Sequence, residues 1–324
     1  MSDKSILAGI LETPTVWLQL DSGVPRRLSA PFSGTEKIIG RDAEAKPLSA
    51  HARLPLETRL RIAFEQGLFA LAYQPSIDAR TGRIRGAEAL LRWQDPLGEA
   101  SAPSTFVPAL EASGLILPVG EWVLREACAR FAQGDPALTV SVNLAPRQFA
   151  QPWLVERIAE VLRDTRLPPQ RLELEVTESV LENVEHAVHS IERLNALGVC
   201  VLIDDFGVGY SSLGHLKKLP ASGLKLDRTF VTGIFTSRRD RLITESIIKL
   251  AAELSLEVVA EGVETVEQEQ WLWRNGIRRM QGFLYSPAIP FDDFAAMARA
   301  QPFRPRKKAA KPLSRASRRS PRRR

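Results

Sequence analysis

The chain has 324 residues and a mass of 36.0 kDa; it is 44% hydrophobic and 25% charged, with a net charge of +6. That composition excludes collagen-like, coiled-coil and wholly disordered classes and allows one large domain or two small ones. No apolar run approaches the roughly 18 residues that span a bilayer. Glu12 interrupts the apolar N-terminus MSDKSILAGILETPTVWLQL, no signal-peptide cleavage pattern follows, and cytoplasm is the expected compartment. Cys128 and Cys200 stand too far apart for a redox or metal motif.

Residues 1–54 hold Thr13-Pro14, Pro25, Pro31 and Ser33-Gly34 with weak periodicity, and read as a poorly defined N-terminal extension, irregular or partly strand-forming. Residues 55–301 alternate β-rich apolar runs with amphipathic stretches. The runs predict strands over Leu71–Ile77, Gly86–Trp93, Thr139–Leu144, Leu172–Thr177, Val199–Phe206, Leu224–Asp227, Val258–Gly262 and Arg279–Phe283. Helices are expected over Glu121–Phe131, Leu154–Arg163, Val184–Leu197, Arg241–Leu254 and Val266–Asn275, with Gly67, Gly114, Gly134, Gly198 and Gly276 at helix stops. The alternation predicts an α/β fold, a (β/α)8 TIM-type barrel with parallel strands. An open doubly wound sheet is the alternative, but no Gly-rich dinucleotide fingerprint follows the first strand.

Residues 302–324 carry 11 Lys/Arg and no Asp/Glu, whereas 55–301 hold 26 basic against 32 acidic groups. The basic character of the chain thus belongs to its end. This tail has too few apolar groups to offset its ordering entropy and is expected to be disordered. Its ordinary reading is a solvated run of like charge; docking on an anionic partner (nucleic acid, a membrane surface or an acidic protein) is the other.

The informative residues are polar groups in strands that should be apolar throughout. Glu88 lies inside GAEALLRW, Asn143 ends TVSVNL, Glu175 and Glu178 end LELEVTE, and Asp204 and Asp205 end VCVLIDD. Lys225 interrupts GLKLD, Glu261 and Glu264 end VVAEGVE, and Gln281 lies in MQGF. Singly, each is as well read as a cap, a loop acceptor or a snorkelling lysine. Together they recur at equivalent places, and an unpaired buried carboxylate costs several kcal/mol. Parallel strands bring their C-terminal ends to one mouth, where these groups are expected to converge. Oxygen-rich clusters without His or Cys suit Mg²⁺ or Mn²⁺. Adjacent Asp204 and Asp205 suit a pair of ions, a clamp for phosphoryl chemistry.

These segments resemble the EAL-domain phosphodiesterases of cyclic di-GMP. Glu88-Ala89-Leu90 is the naming motif, and YQP (73–75), VNL (142–144), EVTE (175–178), DDFGVGYSSL (204–213), LKLD (224–227), AEGVET (260–265) and QGF (281–283) follow in order across residues 55–301. The resemblance implies a barrel whose first strand is antiparallel. It implies two Mg²⁺ or Mn²⁺ ions ligated by Glu88, Asn143, Glu175, Asp204 and Asp205, with Ca²⁺ as an inhibitor. Lys225 matches the lysine near the attacking water. Glu261 matches the residue read as general base, with a hydroxide bridging the ions as the alternative. Gln74 and Arg92 match positions contacting the dinucleotide, and Gln281 a substrate- or water-shell position. Glu178 matches the anchor of the loop Phe206–Ser212, and Glu264 another acid of the metal shell. Two short segments depart from the family pattern: Asn143-Leu-Ala, where a hydrogen bond behind Asn143 is affected, and Ser286–Pro290, which lies outside the metal shell. The implied activity is hydrolysis of cyclic di-GMP to linear pGpG by a homodimer. A catalytically silent cyclic di-GMP receptor is the alternative, disfavoured because the ligand set is complete.

Overall fold

The computed structural model describes residues 54–94, 100–207, 217–301 and 303. Expectations for the N-terminal extension, for the loop Phe206–Ser212 beyond Gly207 and for the basic tail fall outside the described residues. The described chain begins with α1 (Leu56–Glu65), β1 (Phe69–Asp78), β2 (Arg83–Gln94), β3 (Ala100–Ser101), α2 (Pro103–Ser113) and α3 (Ile116–Ala132). It continues with β4 (Thr139–Leu144), α4 (Pro146–Phe149), α5 (Leu154–Thr165), β5 (Leu172–Thr177), α6 (Val184–Leu197) and β6 (Cys200–Phe206). The last elements are β7 (Gly223–Leu226), α7 (Arg228–Gly233), α8 (Arg238–Glu253), β8 (Glu257–Ala260), α9 (Val266–Arg274), β9 (Arg279–Gln281) and α10 (Phe291–Ala300).

Hydrogen bonds order the strands β1-β9-β8-β7-β6-β5-β4-β2, and β1 pairs with β2 to close the ring. The result is an eight-stranded barrel of TIM type, with β3 added to β2 outside it. All eight predicted strands are present, and β4 and β5 coincide with their predicted limits. The all-parallel arrangement expected from pattern alone is corrected: β1 runs antiparallel to both β2 and β9, as the family resemblance implied. Burial alternation reports which residues face inward, and it is the same for either strand direction.

The helices form on apolar stripes, and α6 and α9 add side-chain caps. On α5 the buried residues Leu154, Val155, Ile158, Val161 and Leu162 recur at helical spacing and face the barrel. In α6 the Asn183 side chain accepts from the His186 N–H, and Gly198 closes the helix in the left-handed conformation. Thr265 and Gln268 form a reciprocal capping box that fixes the start of α9 directly after the segment carrying Glu261 and Glu264. Gly282 lets β9 end against that segment: a Cβ there would meet the Val263 N and O at 2.2 Å, while Val263 N–H donates to Gln281 O at 3.0 Å. These two close approaches fix the mouth of the barrel on its β8–β9 side.

Candidate active site

Each barrel strand delivers one polar side chain toward the mouth: Gln74 from β1, Glu88 from β2, Asn143 from β4, Glu175 from β5, Asp204 from β6, Lys225 from β7, Glu261 just after β8, and Gln281 from β9. Glu88, Glu175, Lys225 and Gln281 are buried. Lys225 Nζ lies 2.6 Å from Glu175 Oε2, 2.6 Å from Glu261 Oε1, 3.3 Å from Asp204 Oδ1 and 3.6 Å from Glu88 Oε2. The Glu175 contact is a hydrogen bond. Glu261 meets Lys225 in an equally short ion pair. Around Glu88 the amides close in: Asn143 Nδ2 donates to its Oε1 at 2.6 Å, Gln281 Nε2 to its Oε2 at 2.6 Å, and Gln281 also reaches Gln74 Oε1 at 3.1 Å.

Four carboxylates around one ammonium leave negative charge in excess. That excess holds the Lys225 proton: burial opposes its charge, but Glu175, Glu261, Glu88 and Asp204 outweigh burial and raise its pKa well above the ordinary lysine value. The same excess acts on the acids. Burial first, then the Glu88 charge, lifts Glu175 well above the carboxylate range. Burial, with Glu88 and Asp204, lifts Glu261 to about 7 against the pull of Lys225. Glu88 goes the other way: burial would raise it, but Lys225 and the donors Gln281 and Asn143 hold it below the usual range.

Asp204 and Asp205 sit where β6 breaks register with β7, between Ile203 and Phe206. Asp205 takes φ 53°, a left-handed conformation rare outside glycine, and its N–H donates to Asp204 Oδ1 at 2.9 Å. The bulge sets two residues of β6, Asp204 and Asp205, opposite the single position of Lys225 on β7. Asp205 is the more exposed of the two acids, and partial desolvation of its carboxyl, with the charges of Asp204 and Asp227, raises its pKa.

A cavity of about 290 Å³ opens over this ring, lined by Gln74, Glu88, Asp204, Lys225, Glu261, Glu264 and Gln281 among the sequence-predicted residues. Arg92 does not line it; its guanidinium donates to Leu91 O, and burial lowers its pKa. Glu178 opens the 3-10 turn Glu178–Asn183, with its Oε2 buried and unpartnered among the described residues. Arg228, Leu90 and Phe283 line the cavity and were not singled out in the sequence. Leu90 and Phe283 fall inside the quoted motifs Glu88-Ala89-Leu90 and QGF (281–283) without a role assigned to them, and Arg228 directly follows LKLD. A larger groove of about 800 Å³ lies along α8, but it brings together apolar side chains with Arg238, Arg239 and Ser246 and no acid.

The ring has the donor set of a hard-cation site: carboxylates and amide oxygens, and surplus negative charge. Among the described residues no three acidic, His or Cys side chains already form a metal cage; the acids converge on Lys225 Nζ instead. The residues therefore fit divalent ions in chemistry and charge.

The EAL domain family model matches residues 57–288, and the chain belongs to that family. It is 41% identical over 253 residues to the bifunctional diguanylate cyclase/cyclic di-GMP phosphodiesterase MucR of Pseudomonas aeruginosa, covering 76% of this chain and 37% of MucR. It is 39% identical over 259 residues to the cyclic di-GMP phosphodiesterase NbdA of the same organism, covering 78% of this chain and 33% of NbdA. The chain spans about a third of the length of these relatives. Among solved structures, the PaMucR phosphodiesterase in complex with c-di-GMP superposes with a TM-score of 0.72 and 41% identity, covering 74% of this chain and all of that one.

Proposed function

We propose that the chain is a cytoplasmic phosphodiesterase that hydrolyses cyclic di-GMP to linear pGpG with two divalent ions, Mg²⁺ or Mn²⁺, its catalytic unit being residues 55–301. The observation that carries this reading is the ring of Glu88, Glu175, Asp204 and Glu261 around Lys225, whose charge one ammonium does not balance. The relatives whose names include this activity, and the c-di-GMP complex of PaMucR, point to the same substrate. No helix among the described residues is long and apolar enough to cross a membrane.

Glu88, Asn143, Glu175, Asp204 and Asp205 would hold the ions, with Glu264 at the cavity wall behind them. Bound divalent ions offset phosphate charge and lower the pKa of water. Lys225, fixed between Glu175 and Glu261, supplies a directed ammonium to a phosphate oxygen or to the attacking water. Glu261, at the cavity wall and 2.6 Å from Lys225 Nζ, is placed to act as a proton acceptor for that water. Attack at phosphorus in line with the ribose 3′-oxygen opens one of the two linkages. Gln74 and Gln281, which line the cavity, would orient the dinucleotide on the β1–β9 side.

Turnover of cyclic di-GMP by the purified chain and by Glu88→Ala tests the assignment. A loss of more than about 100-fold with the fold intact is expected for removal of a ligand; unchanged turnover would contradict it. Replacing Mg²⁺ with Ca²⁺, which tolerates irregular coordination, should inhibit, and brisk Ca²⁺-supported hydrolysis would count against the mechanism.

A further inference from the structure

Beneath the acid ring the barrel interior is polar again. Arg279 on β9 and Glu173 on β5 are 2% and 3% exposed. Arg279 Nη1 donates to Glu173 Oε1 at 2.9 Å and Nη2 donates to Oε2, a bidentate pair. The guanidinium Nε donates to Ser76 Oγ on β1 at 2.7 Å. Ser141 Oγ on β4 donates to Glu173 Oε2 at 2.7 Å and lies 3.4 Å from Arg279 Nη2. In the closed ring β5 and β9 are four strands apart by either route, so this fork spans the barrel across its diameter.

Each of these four strands carries a site residue on the same inward face, two positions nearer the mouth. Glu173 is followed by Glu175, Arg279 by Gln281 and Ser141 by Asn143. Ser76 stands two positions after Gln74 because β1 runs the other way. A buried ion pair is a weak source of net stability, since desolvation offsets its attraction. Its fixed length and planar fork, however, set the distance between opposite walls in a way that apolar packing does not.

We propose that the Glu173–Arg279 pair, with Ser76 and Ser141, is a cross-brace that positions Glu175, Gln281, Asn143 and Gln74 for metal binding. Glu173 and Arg279 are positioning residues: they act through the residues above them and touch no reacting atom. The inference rests on the metal-dependent reading above.

The test is Mn²⁺ alone, titrated into the full chain and followed by electron paramagnetic resonance, alongside cyclic di-GMP turnover and thermal unfolding. Glu173→Met/Arg279→Met exchanges the pair for apolar side chains and avoids leaving either charge buried alone. The brace predicts a folded protein whose Mn²⁺ Kd rises and whose kcat falls by about tenfold or more, with KM for the dinucleotide changed less. Should that variant fail to fold, Arg279→Lys keeps the charge but loses the fork, and the same joint loss is expected in a folded chain. A folded variant of either kind with the Mn²⁺ affinity and kcat of the parent overturns the brace and leaves the functional reading standing. A parent chain that binds Mn²⁺ yet hydrolyses nothing overturns the functional reading, and the metal titration still decides the brace.

Discussion

At Lys225 a single ammonium faces the carboxylates of Glu88, Glu175, Asp204 and Glu261. Lys225→Met leaves those acids without their cation, and breaking a buried pair in this way costs about 3–5 kcal/mol. The metal-free variant should melt lower than the parent, and Mn²⁺ should restore more stability to it than to the parent; equal stabilisation would contradict the charge argument. Glu261, lifted to about 7 by burial and its acidic neighbours, is partly protonated at neutral pH in the metal-free chain. Cation binding favours the carboxylate, so Mn²⁺ uptake should release protons and tighten from pH 6 to 8; calorimetry in buffers of different ionisation enthalpy measures both, and a pH-independent affinity would be the contrary result. Most of the ring was legible because a charge inside an apolar strand stands out. Glu173 and Arg279 were not, although they share the parity of Glu175 and Gln281. Near the start of a strand a charge looks like an ordinary surface residue, and their pairing across the barrel has no local signature.

The elements that patterning found have a broad buried stripe, as in α5, or a side-chain cap, as in α6 and α9. Those it missed are interrupted, short or weakly marked: α2 has Pro108 inside it, α7 is six residues long, and α1 and α10 each bury two residues and have no side-chain cap. Strand direction was equally hidden, since β1 has the same alternation either way. The capping box of α9 holds the segment with Glu261 and Glu264, so Thr265→Ala should cost about 1 kcal/mol of stability in urea. Gly282→Ala drives a Cβ into the Val263 backbone at 2.2 Å and should cost more, about 3 kcal/mol, and impair turnover because β9 and the Glu261 segment part there. Wild-type midpoints for both variants would show that this side of the mouth is not held as described.

Across the whole molecule the buried brace has a pH signature. Burial alone would raise Glu173, but the Arg279 charge and the hydrogen bonds from Arg279 and Ser141 hold it below the ordinary range. A carboxyl depressed in the folded state stabilises above its unfolded value of about 4.3 and loses that contribution as pH falls through the folded value. The urea midpoint of the parent should therefore fall below about pH 4 more steeply than that of Glu173→Met/Arg279→Met; parallel acid limbs would deny the pair its shift. Fold class and site position came from the sequence because eight strands repeat one rule, a polar side chain delivered to the mouth. The basic run 302–324 obeys no such rule, and removing it should leave the turnover number close to that of the full chain. The central claim is that the acid ring holds ions to open a cyclic dinucleotide. Chromatographic product analysis of the purified chain with cyclic di-GMP, with and without Mg²⁺ or Mn²⁺, tests it most directly: linear pGpG formed only with metal is the predicted result, and intact cyclic di-GMP, bound but unconverted with metal present, would contradict it.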